Sequence, residues 1–115
     1  MANNQAARWQ RLEEWFSTLL GKQPNIEAIL FLIGVRELGS QPREFSKEEK
    51  QDLMHIAICK LLSQSGYYEL DYLDQEGWPH WRLIKDLPHQ DMFSQVHLLR
   101  EHILNYFEEE EIFTA

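Results

Sequence analysis

The chain lacks the residues that several structural classes require. It has one cysteine, Cys59, in 115 residues, which excludes an intramolecular disulfide and any zinc site built from several cysteines. No apolar run approaches the ~20 residues that a membrane-spanning helix needs. The first residues do not show the basic segment and apolar stretch of a secretory signal. These absences and the length predict a soluble, cytoplasmic protein with one domain over residues 1–115.

Positive charge is scarce in the second half of the chain. The whole sequence holds 11 basic and 19 acidic residues, for a net charge of −8. Residues 1–65 are balanced, whereas residues 66–115 contain three basic and eleven acidic side chains. A negative half repels phosphate backbones and anionic lipid headgroups, so nucleic acid is disfavoured as a partner and no membrane partner is expected. Excess acid also keeps a small domain soluble.

Apolar spacing and capping residues predict four helices. They cover residues 6–20, 26–38, 47–65 and 90–110. Asn25 can cap the second helix, whose dense apolar residues indicate burial, although a buried strand competes over Ala28–Ile33. Ser46 and Glu49 form a capping box at the start of the third helix, and Gly66 ends it.

After Gly66 the apolar period changes to two, which predicts a β-hairpin with strands at 67–73 and 78–84. A four-residue loop would produce four pairs of matched polarity: Tyr68 with Leu83, Glu69 with Arg82, Leu70 with Trp81, and Asp71 with His80. A two-residue turn at Glu76-Gly77 is the alternative and shifts the register. The expected fold is therefore α+β and predominantly helical, with one antiparallel hairpin between helices three and four.

The hairpin concentrates aromatic residues, and alternation places Tyr67 and Trp78 on its outer face. Exposed tryptophan and tyrosine favour a protein contact, unless the first helix covers that face. The acidic run Glu108–Glu111 lies at the end of the fourth predicted helix, where negative charge opposes the helix dipole, and Ile112 and Phe113 follow it. We therefore expect this end of the helix to fray or to be covered by a partner. The possible interaction surface comprises Tyr67, Trp78, His80, Arg82, Ile112 and Phe113.

Motifs for catalysis and metal binding are weak. His55 and Cys59, and likewise His97 and Glu101, lie four residues apart on predicted helices, but each pair lacks the further ligands of a zinc site. The chain has no G-x-S-x-G elbow and no glycine-rich phosphate loop. We therefore assign no catalytic residue, cofactor or metal ligand from the sequence, and enzyme function is disfavoured.

The polar residues of the hairpin also admit two interpretations. Tyr67, Glu69, Asp71 and His80 share one predicted face and could transfer protons. An exposed ladder of cross-strand ion pairs explains the same residues more simply.

The sequence thus indicates a non-catalytic interaction module that contacts a protein partner or a second copy of itself through the aromatic hairpin. Two alternatives stay open. The element order resembles a winged-helix DNA-binding regulator with Lys47, Lys50 and Lys60 as the basic face, although the wing would be acidic. A pocket beside the hairpin, with Trp78, His80 and Arg82, would instead serve a small-ligand binder or enzyme.

Overall fold

The computed structural model describes residues 4–39, 43–87 and 92–112. It contains four α-helices and one antiparallel β-hairpin, which confirms the predicted fold class. The elements are α1 (Gln5–Leu20), α2 (Ile26–Leu38), α3 (Lys47–Ser63), β1 (Tyr68–Leu73), β2 (Pro79–Leu83) and α4 (Met92–Glu109). Within these residues, no helix is both long enough and apolar enough to cross a bilayer.

The chain divides into two compact units. Unit 1 takes the described residues of Met1–Pro24 and Pro88–Ala115, and therefore contains α1 and α4. Unit 2 is the continuous segment Asn25–Leu87, with α2, α3 and the hairpin. The single domain over residues 1–115 stays a prediction.

Unit 1 is held by an apolar stripe on each helix and by one arginine. Phe16 of α1 and Phe107 of α4 are buried and meet edge to face, with ring centroids 5.5 Å apart. Arg8 of α1 forms ion pairs with Glu101 at 3.1 Å and with Glu108 at 2.9 Å, both on α4. The carboxylates are seven residues apart, two helical turns, so one guanidinium reaches both.

Local residues set the helix ends, as the sequence predicted. The Asn25 side chain accepts a hydrogen bond from the Ala28 N–H at 2.7 Å. Ser46 and Glu49 form the complete capping box at the start of α3. The chain turns after α3 at Gly66, whose φ of 78° is left-handed, so α3 ends at Ser63, two residues earlier than predicted. Of the predicted fourth helix, residues 90 and 91 lie outside the described residues.

In unit 2, α2 packs against α3 and supplies most of the apolar interior. The buried side chains of this unit are Ile29, Leu30, Ile33, Leu53, Ile56, Ala57, Cys59, Leu61 and Leu62. Gly34 is also buried, where α2 approaches the backbone of α3 at Leu53. The helix predicted after Asn25 is therefore correct, and the competing strand is wrong.

Three of the four predicted hairpin pairs are confirmed, and the fourth is wrong. Tyr68 faces Leu83, Glu69 faces Arg82 and Leu70 faces Trp81, but His80 faces Tyr72 instead of Asp71. Asp71 is the extra residue of a β-bulge, so two residues of β1 occupy the space of one. The connecting loop runs from residue 74 to residue 78, and both the four-residue loop and the two-residue turn are wrong.

Candidate functional site

The hairpin has one apolar face. Its members are the paired residues Tyr68 with Leu83, Leu70 with Trp81, and Leu73 with Pro79. The three leucines are 48–60% exposed although they lie side by side on one sheet face. Ile84 and Leu87 follow β2 and are exposed by 49% and 46%. Single exposed apolar residues are ordinary, whereas contiguous exposed apolar patches on other proteins are often contact surfaces.

The opposite face of the hairpin is polar. Arg82 and Glu69 form a cross-strand salt bridge there. The ring of Tyr72 stacks on His80, with centroids 4.5 Å apart and planes 3° from parallel. The bulge at Asp71 puts Tyr72 on this face, because one extra residue reverses the alternation of side chains.

Asp74 organises the loop between the strands. Its Oδ1 accepts hydrogen bonds from the N–H groups of Glu76 at 3.0 Å and Trp78 at 2.9 Å. Its Oδ2 lies 3.0 Å from Nε2 of His80. The bond to His80, followed by those from the backbone, lowers the pKa of Asp74 below its ordinary value. The predicted contact of His80 with Asp71 is therefore replaced by one with Asp74.

A cleft of about 720 Å³ separates the first half of α3 from the hairpin. Its apolar wall consists of Ile56 from α3 and of Trp78, Pro79 and Trp81 from the hairpin. The indole N–H of Trp81 is buried and has no acceptor among the described residues. The aromatic wall gives the cleft the apolar surface that binding sites share.

The polar lining of the cleft is acidic. The acidic residues Glu49, Asp52, Asp74 and Glu76 line it, together with His55 and His80. Glu49 is bonded to Arg43 and to the backbone of Ser46, which lower the pKa of Glu49 to about 2. Asp52 is exposed, and its side chain has no ion pair or hydrogen bond within the described part of the chain. The cleft therefore presents negative charge that its own residues do not fully neutralise.

Of the described residues of the predicted interaction surface, Trp78 and His80 both line the cleft, whereas Tyr67, Arg82 and Ile112 do not. Trp78 was expected on the outer face, but it is half-buried in the cleft wall. Tyr67 is also half-buried, beneath Nζ of Lys85 at 4.3 Å from its ring centroid. His80 and Arg82 are exposed on the polar face. Ile112 is half-buried after α4 in unit 1, and Phe113 lies outside the described residues.

In the first candidate metal pair, His55 and Cys59 of α3, the two side chains contact each other. Nε2 of His55 lies 3.5 Å from Sγ of Cys59, which is completely buried. Burial raises the pKa of the Cys59 thiol to about 11, so the thiol stays protonated at neutral pH.

The second candidate pair is occupied by a side chain of α1. Nε2 of Gln5 donates hydrogen bonds to the His97 carbonyl oxygen at 2.9 Å and to Oε2 of Glu101 at 3.1 Å. In the ranges that the structure describes, no three His, Cys, Asp or Glu residues are grouped as metal ligands would be.

Two residues of this region were missed by the sequence analysis. The segment Asp74-Gln75-Glu76-Gly77 predicts a turn, but the role of Asp74 as an acceptor for backbone N–H groups at its first position was not assigned. Asp52 carries no such signal, because an aspartate on α3 looks like any solvated residue until the hairpin is placed opposite it. No protein-family model, curated protein or solved structure matches the chain.

Proposed function

We propose that this chain is a non-catalytic protein-interaction module and that the apolar face of its hairpin contacts the partner. The observation that carries the proposal is the exposure of Leu70, Leu73 and Leu83 as neighbours on one sheet face. A protein with no partner for this face would leave a contiguous apolar surface in water, which is unfavourable and promotes aggregation.

The size of the apolar surface determines how far the contact extends. Completing the burial of a half-exposed leucine contributes about 1 kcal/mol, so the three leucines together supply about 3 kcal/mol. Association costs about 4–15 kcal/mol in lost translational and rotational freedom. The leucines alone are therefore insufficient, so the contact includes further surface of unit 2, where Ile84 and Leu87 are also exposed.

Site-specific photo-crosslinking in living cells tests the proposal. A photoreactive phenylalanine analogue replaces Leu73 in one variant of the chain and Leu19 in a second variant. Leu19 is a matched control, since it is 62% exposed on α1 in unit 1. We expect one defined crosslinked species from position 73 and none from position 19, and we expect Leu83→Lys to abolish that species.

The outcomes separate the kinds of partner. A crosslinked species with twice the mass of the chain identifies a second copy, and native mass spectrometry of the purified protein at several concentrations would then show a dimer. A heavier or lighter species identifies a different protein. Equal crosslinking from positions 73 and 19, or none from position 73, contradicts the proposal.

A further inference from the structure

We propose that the cleft between α3 and the hairpin receives an arginine side chain of the protein that contacts the hairpin. This inference rests on the proposed function and specifies the chemistry of the partner. The partner segment would lie over the exposed leucines and insert its arginine beside Trp81.

The charge of the cleft selects a cation. Glu49, Asp74 and Glu76 line it, but Glu49 is bonded to Arg43 and Asp74 to His80. Asp52 and Glu76 have no such partner in the part of the chain that the structure describes, so their carboxylates are available to an incoming donor. An anionic ligand would meet all four carboxylates and be repelled.

The aromatic wall selects arginine among cations. A guanidinium is planar, is weakly hydrated and stacks on an indole ring, and it donates paired hydrogen bonds to a carboxylate. Trp78 and Trp81 supply the indoles, and Asp52 supplies the carboxylate. A lysine ammonium is a compact, strongly hydrated charge and would use the carboxylate but gain less from the rings.

The cleft is continuous with the apolar face. Pro79 and Trp81 line the cleft, and their cross-strand partners are Leu73 and Leu70, which belong to the exposed group. A chain segment bound across these leucines therefore reaches the cleft directly. The occupant is a peptide segment of a protein and not a free cation. A peptide can place apolar side chains next to its arginine, in contact with the leucines beside the cleft, and a free cation has no such side chains.

The first test is an NMR titration of the ¹⁵N-labelled protein with three blocked peptides at neutral pH. The peptides place arginine, lysine or citrulline between two leucines and are otherwise identical. Citrulline has the shape of arginine without its charge. We expect the arginine peptide to shift the indole signals of Trp78 and Trp81 selectively, and to bind about tenfold more tightly than the citrulline peptide.

Matched variants locate the site. Asp52→Asn removes one available carboxylate and should weaken binding of the arginine peptide about fivefold, as expected for an exposed charge pair. Asp71→Asn makes the same change on the hairpin outside the cleft, and should leave the affinity unchanged. Equal affinity for the arginine and citrulline peptides, or equal effects of the two variants, overturns the inference.

The remaining outcomes distinguish this inference from the proposed function. Spermine that binds more tightly than the arginine peptide would show that the cleft holds a free polyamine, which overturns a protein-borne arginine. If Leu73 crosslinks to a partner while the arginine peptide does not bind, this inference fails and the proposed function stands. If the arginine peptide binds while Leu73 has no partner, the proposed function fails, and the inference that depends on it fails too.

Discussion

A β-carbon added to Gly34 would lie 2.1 Å from the carbonyl oxygen of Leu53, so the backbones of α2 and α3 are in direct contact at this point. The clashing atom belongs to the backbone and cannot rotate away as a flexible side chain would. Close packing of the two helices in unit 2 therefore depends on the missing side chain at position 34.

Gly34→Ala should destabilise the protein in spite of the higher helix propensity of alanine. Overpacking costs about 1–3 kcal/mol, and we expect a net loss of unfolding free energy within that range. Urea unfolding followed by circular dichroism measures the change. Leu32→Met, a volume-conserving change at a position of the same helix that is 37% exposed, is the control and should lower the unfolding free energy by less than Gly34→Ala does. Gly34→Ala with wild-type stability would contradict the close approach.

Glu49→Gln should make the protein less sensitive to acid. The pKa of Glu49 is lowered from 4.5 to about 2, first by its bond to Arg43. The carboxylate therefore stabilises the fold above pH 4.5, and this contribution is lost as the pH falls towards 2. Glutamine preserves the capping box but has no charge to lose. Urea midpoints measured across this range should fall less in the variant than in the wild type.

The control for that experiment is Glu48→Gln, one residue earlier in the same turn of α3. Its carboxylate is not bonded to Arg43, so the variant should follow the wild-type acid profile. Identical profiles for Glu49→Gln and the wild type would show that the Arg43 pair does not stabilise the folded state.

Cys59 should react slowly with thiol reagents in the native protein. Burial raises the pKa of its thiol from 9.0 to about 11, which lowers the thiolate fraction about 100-fold at neutral pH. We expect the rate with Ellman's reagent to rise at least 100-fold when urea unfolds the chain. Equal rates in native and unfolded protein would contradict the burial of Cys59.

Asp74→Ala should loosen the loop of the hairpin. The amides of Glu76 and Trp78 lose their common acceptor, so their hydrogen exchange should accelerate several-fold. Asp74→Asn keeps a side-chain oxygen for these amides and loses the charge that faces His80, and should have a smaller effect. Unchanged exchange in Asp74→Ala would show that the loop closes without this side chain.

Features that depend on neighbouring residues could be predicted from the sequence. Asn25, Ser46 and Gly66 act on backbone groups a few residues away, so the pattern alone identified the starts of α2 and α3 and placed the end of α3 within two residues. The alternation of the strands identified three of the four hairpin pairs. It could not identify the bulge at Asp71, because alternation does not encode the length of the loop between the strands. That loop is closed by hydrogen bonds from backbone N–H groups to Asp74.

The cleft could not be predicted, because it depends on the distance between α3 and the hairpin. Asp52 and Trp78 are 26 residues apart in the sequence and become neighbours of one cavity only when tertiary packing is complete. The predicted position of Trp78 on the outer face was wrong for a different reason. It belongs to the loop and not to the strand, so the period of two does not apply to it.

The tryptophans are distributed evenly over the two units. Trp9 and Trp15 belong to unit 1, and Trp78 and Trp81 belong to unit 2. A protein whose second pair is replaced by phenylalanine emits tryptophan fluorescence from unit 1 alone, and replacing the first pair leaves tryptophan emission from unit 2 alone. Coincident melting of the two signals would define one cooperative domain, and separate transitions would define two. The protein thus carries an intrinsic optical probe in each half of its architecture.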